Sequence, residues 1–324
     1  MIAGEAKITQ FKISFPNGQT TTNALYSNGR HQCQVDILVE KSVYSADGRW
    51  IPEPLTSAEV ATLKVVDFNS DTSLPAGWSG THDRNNVFKL GLWQRGSNEE
   101  DEKDPEAVTS PDFNAPKLYS LFLSVLPSAG NQTKRLKGAI TVGGDVYTTY
   151  MQKDDISFDT FVEVTPTIPF KIFSRELTIF QDNALTDGGV DIDVYYYTPP
   201  GGVNFIRNDG FDRVVDVPNE GLSFETSYVQ ARSLSKTYKG GTVGKRYPLP
   251  RSLTVYDIQR GHSIGSVAAY DLRNTAMRAI RYSGLINMSS TDAKSAWRIL
   301  DDFGCEQVYY MGWVDGGNVI SISD

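Results

Sequence analysis

Residues Gly261-His262-Ser263-Ile264-Gly265 spell G-x-S-x-G, the pentapeptide that presents a serine nucleophile on a sharp strand-to-helix turn. An alternating stretch at 252–258 precedes it, and a helix-compatible stretch at 267–282 follows. A hydroxyl needs a base within hydrogen-bond reach before it attacks at neutral pH. The chain has three histidines, His31, His82 and His262, and none follows Ser263. His262 is adjacent, and consecutive side chains on a tight turn diverge. The motif therefore reads as a glycine-flanked turn, and Ser263 is the candidate nucleophile only if the chain is a hydrolase.

Other spacings that could carry chemistry lack companions. Ser233-Leu234-Ser235-Lys236 matches S-x-x-K, but S-D-N and K-T-G are absent. No glycine-rich phosphate loop occurs. No C-x-x-C or H-x-x-x-H spacing marks a zinc site, and the two cysteines, Cys33 and Cys305, read as reduced and unpaired. Asp191 and Asp193 sit two apart, hence on one face of a strand, and with Asp187 are the candidate metal ligands. A polar outer face opposite Val190, Ile192 and Val194 is the simpler reading of that pair. His82-Asp83 is the spacing of a loop imidazole held by a neighbouring acid.

Aromatic residues give the more promising pattern. Tyr195-Tyr196-Tyr197 must place a ring on each strand face, and Tyr309, Tyr310 and Trp313 precede the turn Asp315-Gly316-Gly317. Rings on an outward face near turns are how β-proteins meet sugars or partner chains. Tyr195, Tyr197, Tyr309, Tyr310 and Trp313 are therefore the expected ligand-binding residues. No cofactor is expected.

The elements that must position these residues are mostly strands. Phe11, Ile13 and Phe15 alternate with polar neighbours, as do Cys33, Val35, Ile37 and Val39. Similar stretches recur to residue 322, punctuated by Gly- and Pro-rich turns. Thr56 with Glu59 forms a capping box ahead of a helix at 57–62. Two further helices are expected at 273–282 and from Ser290 or Thr291 through Leu300. Phe11-Lys12-Ile13 followed by Asn23-Ala24-Leu25 is echoed by Phe170-Lys171-Ile172 followed by Asn183-Ala184-Leu185. Pro166 and Pro169 fall just before the second copy and interrupt strand pairing.

The expected architecture is mainly β. Two antiparallel β-sandwich-like domains cover 1–168 and 169–324, the second with α+β additions. The first carries an acidic, proline-rich loop at 98–116. The expected apolar centres are Phe11, Ile13, Val35, Ile37, Val39 and Leu121 in the first, and Ile172, Ile192, Val194, Val255 and Trp297 in the second.

Composition bounds the function. The 324 residues are 40% hydrophobic and 22% charged, with a net charge of −8, which is globular and argues against nucleic acid as partner. Residues 227–285 run against that average, with ten basic residues to two acidic. No run reaches the ~18 apolar residues of a membrane helix. Residues 1–7 lack the features of a secretory signal, so cytoplasmic synthesis is expected, compatible with later release or incorporation into a particle. The leading expectation is a binding or assembly protein facing a protein or carbohydrate surface, with homo-oligomerisation open. Such chains include surface recognition factors, secreted or injected bacterial factors and phage-like structural components. The alternatives are the Ser263 hydrolase and a pore-forming toxin inserting the Gly-, Thr- and Tyr-rich hairpin at 139–151, whose one charge is Asp145.

Overall fold

Alternation at Phe11, Ile13 and Phe15 makes a strand, and that strand begins the first of two units, Met1–Pro169 and Phe170–Asp324. The computed structural model describes residues 3–91, 116–153, 155–187, 190–217, 224–231, 237–244, 252–254, 266–268, 277–285 and 289–324. The fold is mainly β, in several largely antiparallel sheets.

The first unit runs through β1 (Ala6–Ser14), β2 (Thr21–Thr22), β3 (Cys33–Tyr44), β4 (Trp50–Glu53), α1 (Ser57–Val60), β5 (Lys64–Asp67) and β6 (Trp78–Thr81). It continues with β7 (Lys117–Val125), β8 (Lys134–Val142), β9 (Asp145–Thr148), β10 (Tyr150–Lys153), β11 (Ile156–Asp159) and β12 (Val162–Val164). One sheet has the order β1-β3-β7-β6 with β4 beside β3; another has β2-β12-β8-β5 with β9 beside β8. A single apolar core joins Phe11, Ile13, Val35, Ile37, Val39 and Leu121 of the first sheet to Val65, Leu136, Ile140 and Val162 of the second. A register slip between Ile8 and Gln10 returns Ile8 to the same buried face as Phe11.

The one-turn α1 carries the expected capping box: Thr56 Oγ1 accepts the Glu59 N–H, and Glu59 accepts the Thr56 N–H at 2.7 Å. Glu59 also meets Lys41, whose buried ammonium is held by Glu59 at 3.1 Å and Glu53 at 2.9 Å. The hairpin at 139–151 buries Ala139, Ile140, Val142 and Tyr147 in the core around the turn Gly143-Gly144. Its apolar face is committed to packing.

The second unit contains β13 (Thr178–Asp187), β14 (Val190–Thr198), β15 (Phe205–Phe211), β16 (Phe224–Ala231), β17 (Thr237–Gly244) and β18 (Ser252–Thr254). It ends with β19 (Ser266–Ala268), β20 (Met277–Leu285), β21 (Thr291–Asp292), β22 (Ala296–Asp301), β23 (Glu306–Val314) and β24 (Val319–Ser323). Its larger sheet has the order β13-β14-β20-β17-β16-β21, its smaller β15-β22-β23-β24. Ile172, Ile192, Val194 and Trp297 are buried, while Val255 lies outside the described residues.

The α+β expectation for this unit is corrected. Residues 277–285 and 296–301 are strands, and its described helical residues are single turns at Ser174–Glu176 and Asp315–Gly317. Ala296, Trp297, Ile299 and Leu300 are all buried, so a strand covered on both faces produced apolar spacing that also fits a helix. The internal repeat is not matched by structure. Phe11-Lys12-Ile13 lies within β1, whereas Phe170-Lys171-Ile172 precedes β13 outside any strand.

A transverse row of residues organises the larger sheet. Asp193 on β14 faces Arg281 on β20, Arg281 faces Gly241 on β17, and Gly241 faces Tyr228 on β16. The Arg281 guanidinium is buried; its Nε donates to Asp193 at 2.8 Å and its Nη2 to Asp191 at 2.7 Å and to Asp193. Burial works against the charge, but the bonds to Asp193 and Asp191 outweigh it and keep the guanidinium protonated. Glycine is required at 241, because a Cβ there would run into the Tyr228 ring and the Met311 sulfur.

A second network fixes the start of this unit. Asp301 accepts the Phe303 and Cys305 N–H groups, each at 2.9 Å, and the Gln307 amide at 3.0 Å. Gln307 also accepts the Ile172 N–H at 2.8 Å, and the Tyr309 hydroxyl donates to the Ile172 carbonyl at 2.9 Å. Burial pushes the Asp301 carboxyl up to about 7, against the opposing pull of those three donors.

Replacing Arg281 with Met should cost about 3 kcal/mol or more in chemical denaturation, because it strands two carboxylates, one of them fully enclosed. Adding Asp193→Asn should recover part of that loss; no recovery would mean the pair is not the reason. Asp301 gives a pH signature. Its folded-state value lies above the ordinary 3.8, so folding favours the protonated acid. That contribution is full below about pH 4 and is lost as pH rises through about 7. The stability of the native protein relative to Asp301→Asn should therefore fall between about pH 4 and about pH 7 and level off above that; parallel profiles would refute the assignment.

Candidate functional site

Strand parity decides the fate of the tyrosines. Asp191, Asp193, Tyr195 and Tyr197 share one face of β14, and that face points inward: Tyr197 meets Trp297 of the other sheet edge-on at 5.8 Å. Tyr195 and Tyr197 are 3% and 1% exposed, stacked on each other at 6.5 Å. Burial raises the Tyr197 hydroxyl well above the usual phenol range. Tyr196, on the opposite face, is buried too. The expectation that Tyr195 and Tyr197 form an outward platform is therefore corrected: β14 is a central strand with both faces covered. The same parity corrects the aspartates. Asp191 and Asp193 do not line a polar outer face; they neutralise Arg281.

The C-terminal aromatics separate. Tyr309 is buried against the segment that starts the unit. Trp313, on the same face of β23, packs against Tyr228 at 6.3 Å and keeps a partly open edge. Tyr310 is exposed on the opposite face. The structure does not bring Tyr310 and Trp313 together. Ser263 with its pentapeptide, Lys236 with its serines, and residues 98–115 of the acidic loop lie outside the described residues, and the Asp187 side chain is likewise not described.

Neither described imidazole activates a nucleophile. His31 is buried, its Nδ1 accepts the Tyr26 N–H at 3.0 Å, and burial pulls its pKa down to about 4 against the Leu90 carbonyl. His82 bonds through Nε2 to the Leu63 carbonyl at 3.0 Å, not to Asp83. Among the described residues, no group of three or more His, Cys, Asp or Glu is placed to hold a metal ion. None of their helices is long and apolar enough to cross a membrane.

The site missed by sequence reasoning lies in the first unit, where the ends of the β2-β12-β8-β5 sheet meet the β10-β11 hairpin. Phe68 follows β5, Tyr150 opens β10, and Phe161 precedes β12. Their rings converge: Phe68 to Tyr150 at 4.7 Å, Phe68 to Phe161 at 5.4 Å, Tyr150 to Phe161 at 5.8 Å. The Arg135 guanidinium lies 5.2 Å from the Phe161 ring and 5.9 Å from Phe68, and it is paired with Glu163 at 2.9 Å. Lys137, bonded to Asp71 at 2.7 Å, also lies beside Phe68, its ammonium 6.0 Å from the ring. Tyr150 is 44% exposed, and Phe68 and Phe161 are half-buried.

Backbone bonds hold the rings in place. Thr149, fully enclosed, accepts the Gly138 N–H through its hydroxyl and donates that hydroxyl to the Thr160 carbonyl at 2.8 Å. Its own N–H reaches the Gly138 carbonyl, and its carbonyl takes the Thr160 N–H. Residues 150 and 161 are thus clamped beside each other. A Cβ at Gly138 would press on Thr149 and Ile37, so a bare Cα at that position makes the clamp possible. Phe68 is anchored separately, by its N–H on the Arg135 carbonyl at 3.0 Å. The result is a pre-formed patch of three rings rimmed by two ion pairs, with the residue types that dominate protein–protein contact energy.

No protein-family model matches this chain, and no curated protein matches it. Among solved structures, the C-terminal domain of the Streptococcus agalactiae AgI/II polypeptide BspA aligns over 97% of this chain and 98% of its own length, at 12% identity and a TM-score of 0.19. A chain described as BspA_C_WT aligns over the same shares at 13% identity and a TM-score of 0.18. Scores of that size establish no shared fold, and nothing about this chain's activity follows from them.

Tyr150→Ala should change stability by less than about 1 kcal/mol, as expected for an exposed ring. Thr149→Val, which removes the clamp hydroxyl and leaves the Gly138 N–H and Thr160 carbonyl without it, should cost about 1–3 kcal/mol. Urea denaturation of both variants distinguishes a presented surface from a structural cluster; equal losses would assign Tyr150 to the core.

Proposed function

We propose that this chain is a binding and assembly module that docks another protein through the Phe68–Tyr150–Phe161 patch, on a scaffold of two sandwich-like units. The observation that carries this reading is the convergence of three rings from distant segments onto a partly open surface held rigid from beneath. Rigid aromatic anchors bind at low entropic cost, because little side-chain freedom is left to lose. The ion pairs at Arg135 and Lys137 give the patch a polar rim that excludes water from its centre when covered.

The ring geometry favours a protein over a sugar. The three rings meet at interplanar angles of 47°, 75° and 80°, so they present edges and corners instead of one flat stacking face. The hydrolase reading rests on Ser263 alone and draws no support from the described histidines, both of which serve the backbone. The pore reading is disfavoured by the burial of the 139–151 hairpin face.

A photo-crosslinking phenylalanine analogue at position 150, in cells that make the protein, should yield a discrete adduct that Arg135→Glu weakens. The same analogue at Val87, exposed elsewhere on this unit, serves as control. A fluorophosphonate probe should leave the chain unlabelled. Labelling at Ser263, or equal adducts at 150 and 87, would overturn the reading.

A further inference from the structure

Two asparagines in this chain precede a glycine, Asn17 and Asn28. Such a dipeptide can react with itself. Glycine has no side chain to shield its backbone nitrogen, and it turns freely enough to bring that nitrogen onto the preceding side-chain amide. Nucleophile and electrophile then sit in one short ring, where proximity replaces a catalyst.

The fold holds the two sites differently. Asn17-Gly18 forms the tip of the turn after β1, and residues 17–20 are all exposed. β1 pairs with β3 and β2 with β12, so the two arms of the turn belong to different sheets. Its closing bonds are local: the Gly18 N–H donates to the Phe15 carbonyl at 2.8 Å, and the Phe15 N–H to the Gln19 carbonyl at 2.9 Å. A Cβ at Gly18 would meet open space among the described residues. Asn28-Gly29 is tied instead to distant parts of the chain. The Gly29 N–H donates to the Val125 carbonyl at 2.8 Å, and the Ser27 N–H to the Thr167 carbonyl at 2.9 Å. A Cβ at Gly29 would stand 2.8 Å from the Leu126 side chain.

The electrophile does not separate the sites. Asn17 Oδ1 accepts the Gln19 N–H at 3.1 Å, while Asn28 Oδ1 accepts the Arg30 and His31 N–H groups at 2.9 and 2.8 Å. Each donor is aimed at the oxygen that gains charge when its carbon is attacked. By that measure Asn28 is the better prepared. The nucleophile decides, because its own hydrogen bond must open first. Opening an exposed turn costs far less than parting tertiary contacts.

We infer that Asn17 is a site of spontaneous covalent modification, converted to aspartate and isoaspartate as the protein ages, while the fold protects Asn28. The Gly18 nitrogen bonds to Asn17 Cγ, the Cγ–Nδ2 bond breaks, and Nδ2 leaves as ammonia with the proton from the Gly18 nitrogen. Water then opens the resulting succinimide. Attack at Cγ restores the ordinary backbone as aspartate; attack at the main-chain carbonyl carbon leaves the chain running through Cγ as isoaspartate. Either product places a new carboxylate at the tip of the turn.

Peptide mapping of protein aged at mildly alkaline pH tests the assignment. In the folded protein Asn17 should convert about tenfold or more faster than Asn28. In guanidinium chloride the two should convert at similar rates, since the protection of Asn28 is structural. A protein-isoaspartate O-methyltransferase with labelled S-adenosylmethionine should mark the aged native protein at residue 17. Asn17→Gln, whose longer side chain closes the ring slowly, should remove that label, with melting temperature confirming that the variant folds. The assignment would be overturned by equal conversion at both sites in the folded protein, by the same ratio in denaturant as in the native state, or by an Asn17 that reacts in denaturant alone.

Discussion

A buried positive charge governs the second unit. Arg281 sits in a central strand with its guanidinium enclosed, and an unpaired cation there would cost several kcal/mol. Asp193 and Asp191 must therefore turn the same way, toward the interior. Strand parity then carries Tyr195 and Tyr197 inward with them. On the other side of Arg281, Gly241 clears the space that the Tyr228 ring fills. One buried arginine thus orients two strands and removes from the surface a set of rings that would otherwise look like a binding platform.

The first unit solves a different problem with different means. Its main core cluster is apolar, and beneath Tyr150 hydrogen bonds concentrate at Thr149, Thr160 and Gly138, where three segments cross. That concentration lets Tyr150 stand partly in solvent without being loose. Enclosed tyrosines in one unit hold the fold together, while a supported, half-open ring in the other is available for contact.

Local patterns were legible in the sequence wherever a short window contained all the partners. The alternation of β1 and β3 and the Thr56–Glu59 capping box each close within a dozen residues, and each is found in the structure. What stayed hidden depends on distant partners. Nothing near Asp193 announces Arg281, 88 positions away, so a polar pair on a strand read as an outer face. Phe68, Tyr150 and Phe161 come from three separate segments and have no motif in common. The strand at 296–301 read as a helix because burial on both faces erases the period of two on which strand recognition relies.

The two cysteines carry a consequence for where such a chain can work. Both are buried, and enclosure pushes the Cys33 thiol up to about 12, leaving almost no thiolate at neutral pH. Oxidants act on exposed thiolates, and disulfide exchange requires one to attack. The folded protein is therefore electrochemically quiet: it neither depends on a disulfide for its shape nor offers a thiol to form one. The same native structure persists in reducing and oxidising surroundings, so passage between them requires no maturation step at sulfur.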